Sequence, residues 1–192
     1  LTRPIGDLRC GLFTNTERWE YFEETIEVGY KTADYLQGKF PAFDKPDIII
    51  NGALIPNEAL MASILALGDN SQLFFGEIVL ASKGDGSETL QWKGDAPIIL
   101  SNRWELFTNN AVAIQQDFEW FTRGRVSQTL SDSNRLIGEP SQLFIEEGAI
   151  VEGAILNVKE GPIYIGLDAE VMEGSLVRGA LALMDHAALK MG

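Results

Sequence analysis

Residues 161–190, GPIYIGLDAEVMEGSLVRGALALMDHAALK, place a branched aliphatic residue at every sixth position. The anchors of this repeat are Ile165, Val171, Val177, Leu183 and Leu189. In a three-sided parallel coil each side takes six residues and points one aliphatic side chain inward. The spacing therefore predicts that this part of the chain winds into a β-helix of hexapeptide repeats.

Small residues support this prediction, because they follow three of the anchors by four positions, where the coil turns a corner. They are Ala169, Ser175 and Ala187. Ile145 and Val151 form an earlier pair in the same style. From Val151 to Ile165 is 14 residues, where an unbroken repeat needs 12, so we expect a two-residue insertion near 157–162.

The segment before the repeat alternates between strand-like and helix-like runs, a pattern typical of a layered α/β domain. Thr14 and Glu17 have the spacing of a capping box, which predicts a helix over residues 16–22. Three consecutive isoleucines in residues 47–51 predict a strand buried on both faces. A loop then leads into a helix that begins near residue 56 and stops at Gly68.

The next part of the α/β segment contains shorter elements. Residues 83–87, KGDGS, predict the tip of a hairpin, and residues 98–100 predict the strand that follows. Two helical segments are predicted after that, over residues 104–108 and 110–122. Their aromatic residues are expected to belong to the core rather than to a binding platform.

The chain divides into an α/β domain over residues 1–140 and the first turns of a β-helix over residues 141–192. The sequence begins with Leu1 rather than Met, and its last residues provide no polar cap for the coil. We therefore expect that the natural polypeptide continues beyond both ends.

Composition limits the possible partners. The 192 residues include 28 acidic and 15 basic side chains, which gives a formal net charge of −13. This charge repels polyphosphate chains, so we expect no nucleic-acid partner. No stretch approaches the roughly 18 to 20 apolar residues of a membrane span, and no leader peptide is recognisable. We therefore expect a cytoplasmic protein without a membrane partner.

The chain contains one cysteine, Cys10, and one histidine, His186, which excludes the common Cys/His zinc sites. The two could form a nucleophile and base pair, but they lie far apart in the sequence. We favour a buried Cys10 and an exposed turn histidine beside Asp185.

Several segments together resemble the sugar nucleotidyltransferases of Bacteroidetes, which are often labelled glucose-1-phosphate thymidylyltransferases. The segments are Leu1–Gly11, Thr14, Glu17–Trp19, Asn51–Gly52, Pro56–Asn57, Trp104, Asn110, Asp117–Phe118, Gly124–Arg125 and Gly161–Gly179. The architecture is also similar to that of the bifunctional UDP-N-acetylglucosamine pyrophosphorylase/glucosamine-1-phosphate acetyltransferase. The resemblance covers nearly the whole chain and implies a Rossmann-like mixed sheet with helices, followed by a left-handed parallel β-helix.

The resemblance implies a sugar-1-phosphate nucleotidyltransferase. In that reaction a sugar 1-phosphate oxygen attacks the α-phosphorus of a nucleoside triphosphate, usually with Mg²⁺ and basic side chains beside the phosphates. Leu1–Thr2 matches the end of the family's phosphate loop, so Arg3 and Arg9 are the candidate catalytic residues. The alternative for both arginines is salt bridging with Asp7 and nearby carboxylates.

One departure from the superfamily concerns the metal. The aspartate expected after the central strand is replaced by Asn51–Gly52, and a neutral amide binds Mg²⁺ less well than a carboxylate. Asn51 and Gly52 are therefore substrate-binding candidates, with turn formation favoured for Asn51. Asn102 and Arg103 are further substrate-binding candidates, and Asp7 is a weak candidate metal ligand.

Two other functions stay open. The chain could be a non-catalytic module that binds a sugar nucleotide or supports a trimer. A hexapeptide acetyltransferase using acetyl-CoA could also reside in the expected C-terminal continuation. The resemblance implies a homotrimer for the full-length protein.

Overall fold

The computed structural model describes residues 2–191. The chain forms two compact units, Leu1–Leu106 and Phe107–Gly192. The α-helices are α1 (Asn15–Phe22), α2 (Asp34–Gln37), α3 (Glu58–Leu65), α4 (Glu105–Thr108) and α5 (Asn110–Phe121). Among the described residues, no helix combines the length and the hydropathy needed to cross a lipid bilayer.

The first unit contains a mixed sheet and a two-stranded ladder. Its strands are β1 (Ile48–Ile50), β2 (Leu54–Ile55), β3 (Ser71–Phe75), β4 (Ile78–Lys83), β5 (Glu88–Gln91) and β6 (Ile98–Ile99). The sheet order is β1-β4-β3-β5, in which only the β3–β5 pair is parallel. β2 and β6 pair antiparallel. The mixed α/β class predicted from the sequence is confirmed.

Two helices of this unit, α1 and α3, begin close to where the sequence predicts, whereas α2 was not predicted. Thr14 accepts a hydrogen bond from the Glu17 backbone N–H at 3.2 Å, and Glu17 accepts one from the Thr14 N–H at 2.8 Å. This reciprocal pair is the predicted capping box of α1. Asn57 caps α3 by accepting from the Leu60 N–H at 2.9 Å.

Two predictions about the strands are wrong. β1 lies at an edge of the sheet, and Ile49 in its middle is 47% exposed, so the strand is not buried on both faces. Residues 83–87 are not a hairpin tip, because β3 lies between β4 and β5. The chain crosses over β3 at that point, and the hairpin turn lies instead at Gly76–Glu77, where Gly76 has φ 60°.

The second unit is built on three parallel sheets, ordered β13-β10-β7, β14-β11-β8 and β15-β12-β9. Their strands are β7 (Arg135–Ile137), β8 (Leu143–Ile145), β9 (Ile150–Val151), β10 (Ile155–Asn157), β11 (Ile163–Ile165), β12 (Glu170–Val171), β13 (Leu176–Arg178), β14 (Leu181–Leu183) and β15 (Ala188–Leu189). The predicted start of a parallel β-helix is therefore confirmed.

The anchors of the repeat share one apolar core. Ile165, Val171 and Val177 are buried in it, and Leu183 and Leu189 pack against it while partly exposed. The parallel strands begin at β7, six residues before the predicted start of the coil at 141.

The expected insertion has two components. Leu156 is fully buried at the inward position of β10, five residues after Val151 and nine before Ile165. One side of the coil is therefore a residue shorter than the six-residue repeat, and the next corner is three residues longer. The net difference is the two residues seen in the sequence.

The segment before β7 closes the first turn of the coil. The Gln128 N–H donates to the Ile145 carbonyl oxygen at 2.7 Å, and the Gln128 side-chain amide donates to the Ala149 carbonyl oxygen at 2.8 Å. At the next corner the Asn134 side-chain amide donates to the Val151 carbonyl oxygen at 2.6 Å and accepts from the Ala154 N–H at 2.9 Å. These contacts satisfy backbone groups that an open coil end would leave without partners.

Helix α5 is fixed to an outward face of the coil by aromatic contacts. Phe144 and Tyr164 stack with ring centroids 6.0 Å apart and planes 10° apart, and Phe121 packs 5.9 Å from Tyr164. The Arg125 guanidinium lies 4.6 Å from the Phe121 ring centroid and pairs with Glu146 at 2.8 Å. Phe118 and Phe121 of this helix thus serve packing, as the sequence predicts. The same prediction is wrong for Trp104 and Phe107 of the preceding segment, which are 61% and 87% exposed.

Candidate functional site

The N-terminal segment and the Asn51–Gly52 loop lie side by side in the first unit. A Cβ added to Gly6 would stand 3.5 Å from the Gly52 carbonyl oxygen, and one added to Gly52 would stand 3.5 Å from the Ile5 side chain. These are van der Waals distances. The fold therefore brings together two of the segments that the sequence singles out.

The third predicted segment, residues 101–103, lies at the same end of the β2–β6 ladder as the Asn51–Gly52 loop. The Leu100 N–H donates to the Ala53 carbonyl oxygen at 2.9 Å, next to the Leu54–Ile99 pair. Since the strands are antiparallel, residues 101–103 leave this ladder at the end where Asn51 and Gly52 enter it. The predicted substrate-binding residues thus share one end of the ladder.

Asn102 and Arg103 differ in their availability for a ligand. The backbone N–H of Asn102 donates to the Glu105 carboxylate at 3.0 Å, and its side-chain amide donates to the same carboxylate at 3.3 Å. These bonds, with a further one from the Ser101 backbone, lower the pKa of Glu105. Asn102 is therefore engaged at the start of α4, whereas the side chain of Arg103 is exposed.

Asn51 uses both ends of its amide to shape the loop. Its Oδ1 accepts from the Ala53 N–H at 3.0 Å, and its Nδ2 donates to the Val79 carbonyl oxygen at 3.1 Å. This is an Asx-type turn. The geometry agrees with the favoured alternative for Asn51, which is turn formation.

Arg3 forms an ion pair with Asp7, with Nη1 3.4 Å from Oδ2. The arginine side chain is half exposed and that of Asp7 is a quarter exposed. Ion pairs at such exposure contribute about 0 to 1 kcal/mol. The Arg3 side chain can therefore leave Asp7 and pair with a more highly charged anion at a small cost in free energy.

Arg9 is held more tightly than Arg3. Its guanidinium donates to the Leu12 carbonyl oxygen and to the Glu17 carboxylate, the latter at 2.8 Å. Glu17 is also the capping residue of α1. Arg9 is thus tied into the start of this helix, which matches the salt-bridge alternative for this arginine.

The structure adds two residues that the sequence analysis missed, Asn15 and Arg18. Asn15 Nδ2 donates to the carbonyl oxygens of Gly52 at 3.2 Å and of Leu54 at 2.7 Å. The fully buried Arg18 donates to Asn15 Oδ1 at 2.7 Å and to the Cys10 carbonyl oxygen at 2.8 Å. Together they tie α1 to the candidate loop. Arg18 belongs to the Glu17–Trp19 segment that resembles the family, whereas Asn15 belongs to none of the segments singled out.

Tyr30 is a further residue beside the candidate site. Its hydroxyl group shares a hydrogen bond with that of Thr16, and its ring lies 3.6 Å from where a Cβ of Gly6 would stand. Burial raises the pKa of Tyr30, and the negative charges of Asp7 and Glu20 raise it further. The Asp7 carboxylate is therefore flanked by Arg3 and by a phenol that stays protonated.

No preformed metal cage accompanies Asp7. In residues 2–191, no group of three histidine, cysteine, aspartate or glutamate side chains is placed to hold a metal ion. Asp7 is engaged by Arg3, and the amide oxygen of Asn51 is used in its turn. Among the described residues there is thus no preformed cluster of three such side chains, and Mg²⁺ in phosphate-transfer sites is commonly held by one or two carboxylates together with substrate phosphates.

The fold defines a mixed α/β protein that continues into parallel β-helix strands. A family model described as sugar nucleotidyl transferase matches residues 1–126, a range that includes every candidate residue discussed above. The chain belongs to the sugar nucleotidyl transferase family. No curated protein matches it.

Proposed function

We propose that this chain transfers a nucleotidyl group from a nucleoside triphosphate to a sugar 1-phosphate. The family match over residues 1–126 carries this proposal. The approach of Ile5 and Gly6 to Gly52 supports it, because the cationic Arg3 belongs to the same N-terminal segment.

In this reaction an oxygen of the sugar 1-phosphate forms a bond to the α-phosphorus, the bond to the β-phosphate oxygen breaks, and pyrophosphate leaves. Charge on the phosphate oxygens must be offset by cations in the site. Arg3 is the proposed catalytic cation, because it can leave Asp7 at little cost. Arg103, which is exposed at the same end of the β2–β6 ladder as the Asn51–Gly52 loop, is proposed as a second phosphate contact.

Asp7 would pair with Arg3 again when the product leaves. The Tyr30 phenol stays protonated beside Asp7 and can keep the carboxylate in place while Arg3 is turned towards a phosphate. Asn51 is proposed to shape the loop and Gly52 to let substrate approach it closely. Dependence on Mg²⁺ and a homotrimer remain predictions from the resemblance, and cytoplasmic location remains a prediction from the sequence composition.

The test is pyrophosphate release by the complete polypeptide, with Mg²⁺ and with all pairs of common nucleoside triphosphates and sugar 1-phosphates. The proposal predicts that at least one pair yields pyrophosphate and an equal amount of NDP-sugar. Hydrolysis without NDP-sugar, or no release with any pair, contradicts it.

A second candidate function is binding of a sugar nucleotide without turnover. The observation in its favour is that Asn51 and Arg9 are both engaged within the fold, with no ligand cluster beside Asp7 in the described residues. Tight NDP-sugar binding without pyrophosphate release would support this function. An acetyl-CoA-dependent activity of a longer coil stays a prediction from the resemblance.

A further inference from the structure

One corner of the coil departs from the six-residue repeat twice in succession. The corner lies between the sheet of β7, β10 and β13 and the sheet of β8, β11 and β14. From Leu136 to Ile145 it takes nine residues, and so does the passage from Leu156 to Ile165 one turn later. The third passage is the normal six residues, from Val177 to Leu183.

The two enlarged corners stack and line a cleft of about 510 Å³, within the size range of small-molecule sites. Glu139 and Gln142 come from the first corner, and Lys159 and Glu160 from the second. Gln115 of α5 lies on one side. The lining therefore comes entirely from the second compact unit.

Glycines maintain the shape of these corners. Gly138 has φ 114°, and a Cβ there would stand 2.8 Å from the Val158 side chain. A Cβ at Gly161 would stand 2.8 Å from that of Ala180. Neither position tolerates a larger residue without movement.

The lining side chains have free hydrogen-bonding capacity. Among the described residues, the side chains of Glu139, Gln142 and Lys159 make no hydrogen bond or ion pair within the chain. Gln115 donates to Glu119 at 2.8 Å, which leaves its carbonyl oxygen available. The cleft thus offers an ammonium group, a carboxylate and amide groups to a ligand.

We propose that this cleft binds an uncharged carbohydrate. Sugar hydroxyl groups both donate and accept, as the amide, carboxylate and ammonium groups of the lining require. Glu139 and Lys159 balance each other in charge, and Glu160 is paired with Arg178 at 2.9 Å, so a phosphate finds no net positive charge. None of the lining residues is aromatic, which disfavours stacking of a nucleobase.

The test uses saturation-transfer NMR on the complete polypeptide with a panel of neutral mono- and disaccharides, at about 10 mM each to detect weak binding. At least one sugar should receive saturation. Glu139→Trp should fill the cleft from an exposed position and weaken that binding about tenfold or more, and Gln142→Ala should weaken it by removing a polar partner.

Glu173→Trp is the matched control, because Glu173 is an exposed glutamate at a different corner of the coil. It should bind like the wild type. No saturation of any neutral sugar overturns the proposal. Binding that persists in both Glu139→Trp and Gln142→Ala overturns the location, and binding of sugar phosphates alone overturns the ligand class.

Discussion

The side-chain amide of Asn15 donates a hydrogen bond to the Gly52 carbonyl oxygen at 3.2 Å. Asn15 is the first residue of α1, and Gly52 belongs to the loop that the sequence marks as substrate-binding. The loop thus takes its position from a helix whose own start is fixed by the Thr14–Glu17 capping box.

Replacement of Asn15 should destabilise the first unit. Asn15→Ala removes one acceptor from the buried Arg18 guanidinium and the donor of the Gly52 and Leu54 carbonyl oxygens, a loss of about 1 to 3 kcal/mol. Asn15→Asp keeps an acceptor for Arg18 but places a carboxylate oxygen against the Gly52 and Leu54 carbonyl oxygens, so it should destabilise the unit as well. Urea unfolding measures the free energy of unfolding of both variants. If both are as stable as the wild type, the hydrogen bonds of the Asn15 side chain do not contribute to stability.

Asn134 should matter for the closure of the coil. Its amide donates to the Val151 carbonyl oxygen at 2.6 Å and accepts from the Ala154 N–H at 2.9 Å. Asn134→Ala should cost about 1 to 3 kcal/mol, because both backbone groups lose their partner. Hydrogen exchange of the Ala154 amide should speed up.

The control is Asp132→Ala, at an exposed position of the same segment, which should stay within about 0.5 kcal/mol of the wild type. Unchanged exchange at Ala154 in Asn134→Ala would contradict the closing role of this segment.

Stability at alkaline pH should depend on Tyr164. Burial raises its pKa above the usual value of 10.0, and its hydrogen bond to the Glu146 carboxylate, at 2.6 Å, raises it further. As the pH rises, the unfolded chain therefore loses the Tyr164 proton before the folded chain does. The contribution of the Tyr164 phenol to the free energy of unfolding is complete below about pH 10 and is lost as the pH rises further. Above that pH the free energy of unfolding of the wild type should fall by up to about 1.4 kcal/mol per pH unit more than that of Tyr164→Phe.

Urea unfolding between pH 8 and about 11 measures this difference. Tyr35→Phe, at an exposed tyrosine, is the control and should follow the wild-type curve. Parallel curves for the wild type and Tyr164→Phe would contradict the burial of this phenol.

The coil could be predicted because its signal is repeated along the sequence. Ile165 and Val171 each occupy an inward position whose neighbours one turn away have the same character, so several residues indicate the same structure. The enlarged corner after Leu156 has three extra residues, but the side before Leu156 is one residue short. The sequence therefore showed only the net insertion of two residues.

The first sheet was less predictable, because strand order depends on long-range pairing. Nothing in the local sequence of β4 and β5 shows that β3 lies between them. The run of isoleucines around Ile49 has the composition of a central strand, yet it forms an edge. Strand composition reports a preference for extended structure and not a position in a sheet.

The candidate site was only partly visible in the sequence. The resemblance indicated the Arg3 and Arg9 segment, but only the tertiary structure distinguishes a weakly paired Arg3 from an Arg9 tied to Glu17 and Leu12. Tyr30 could not be predicted, because it reaches the site by tertiary contact.

The central claim is that Arg3 serves nucleotidyl transfer, and pyrophosphate release by Arg3→Gln tests it most directly. Arg178→Gln is the matched control, since Arg178 is also an exposed arginine in an ion pair, with Glu160 at 2.9 Å. We predict that Arg3→Gln lowers kcat/KM about 10- to 100-fold at unchanged stability, while Arg178→Gln retains the wild-type rate. An active wild type whose rate is unaffected by Arg3→Gln would contradict the claim.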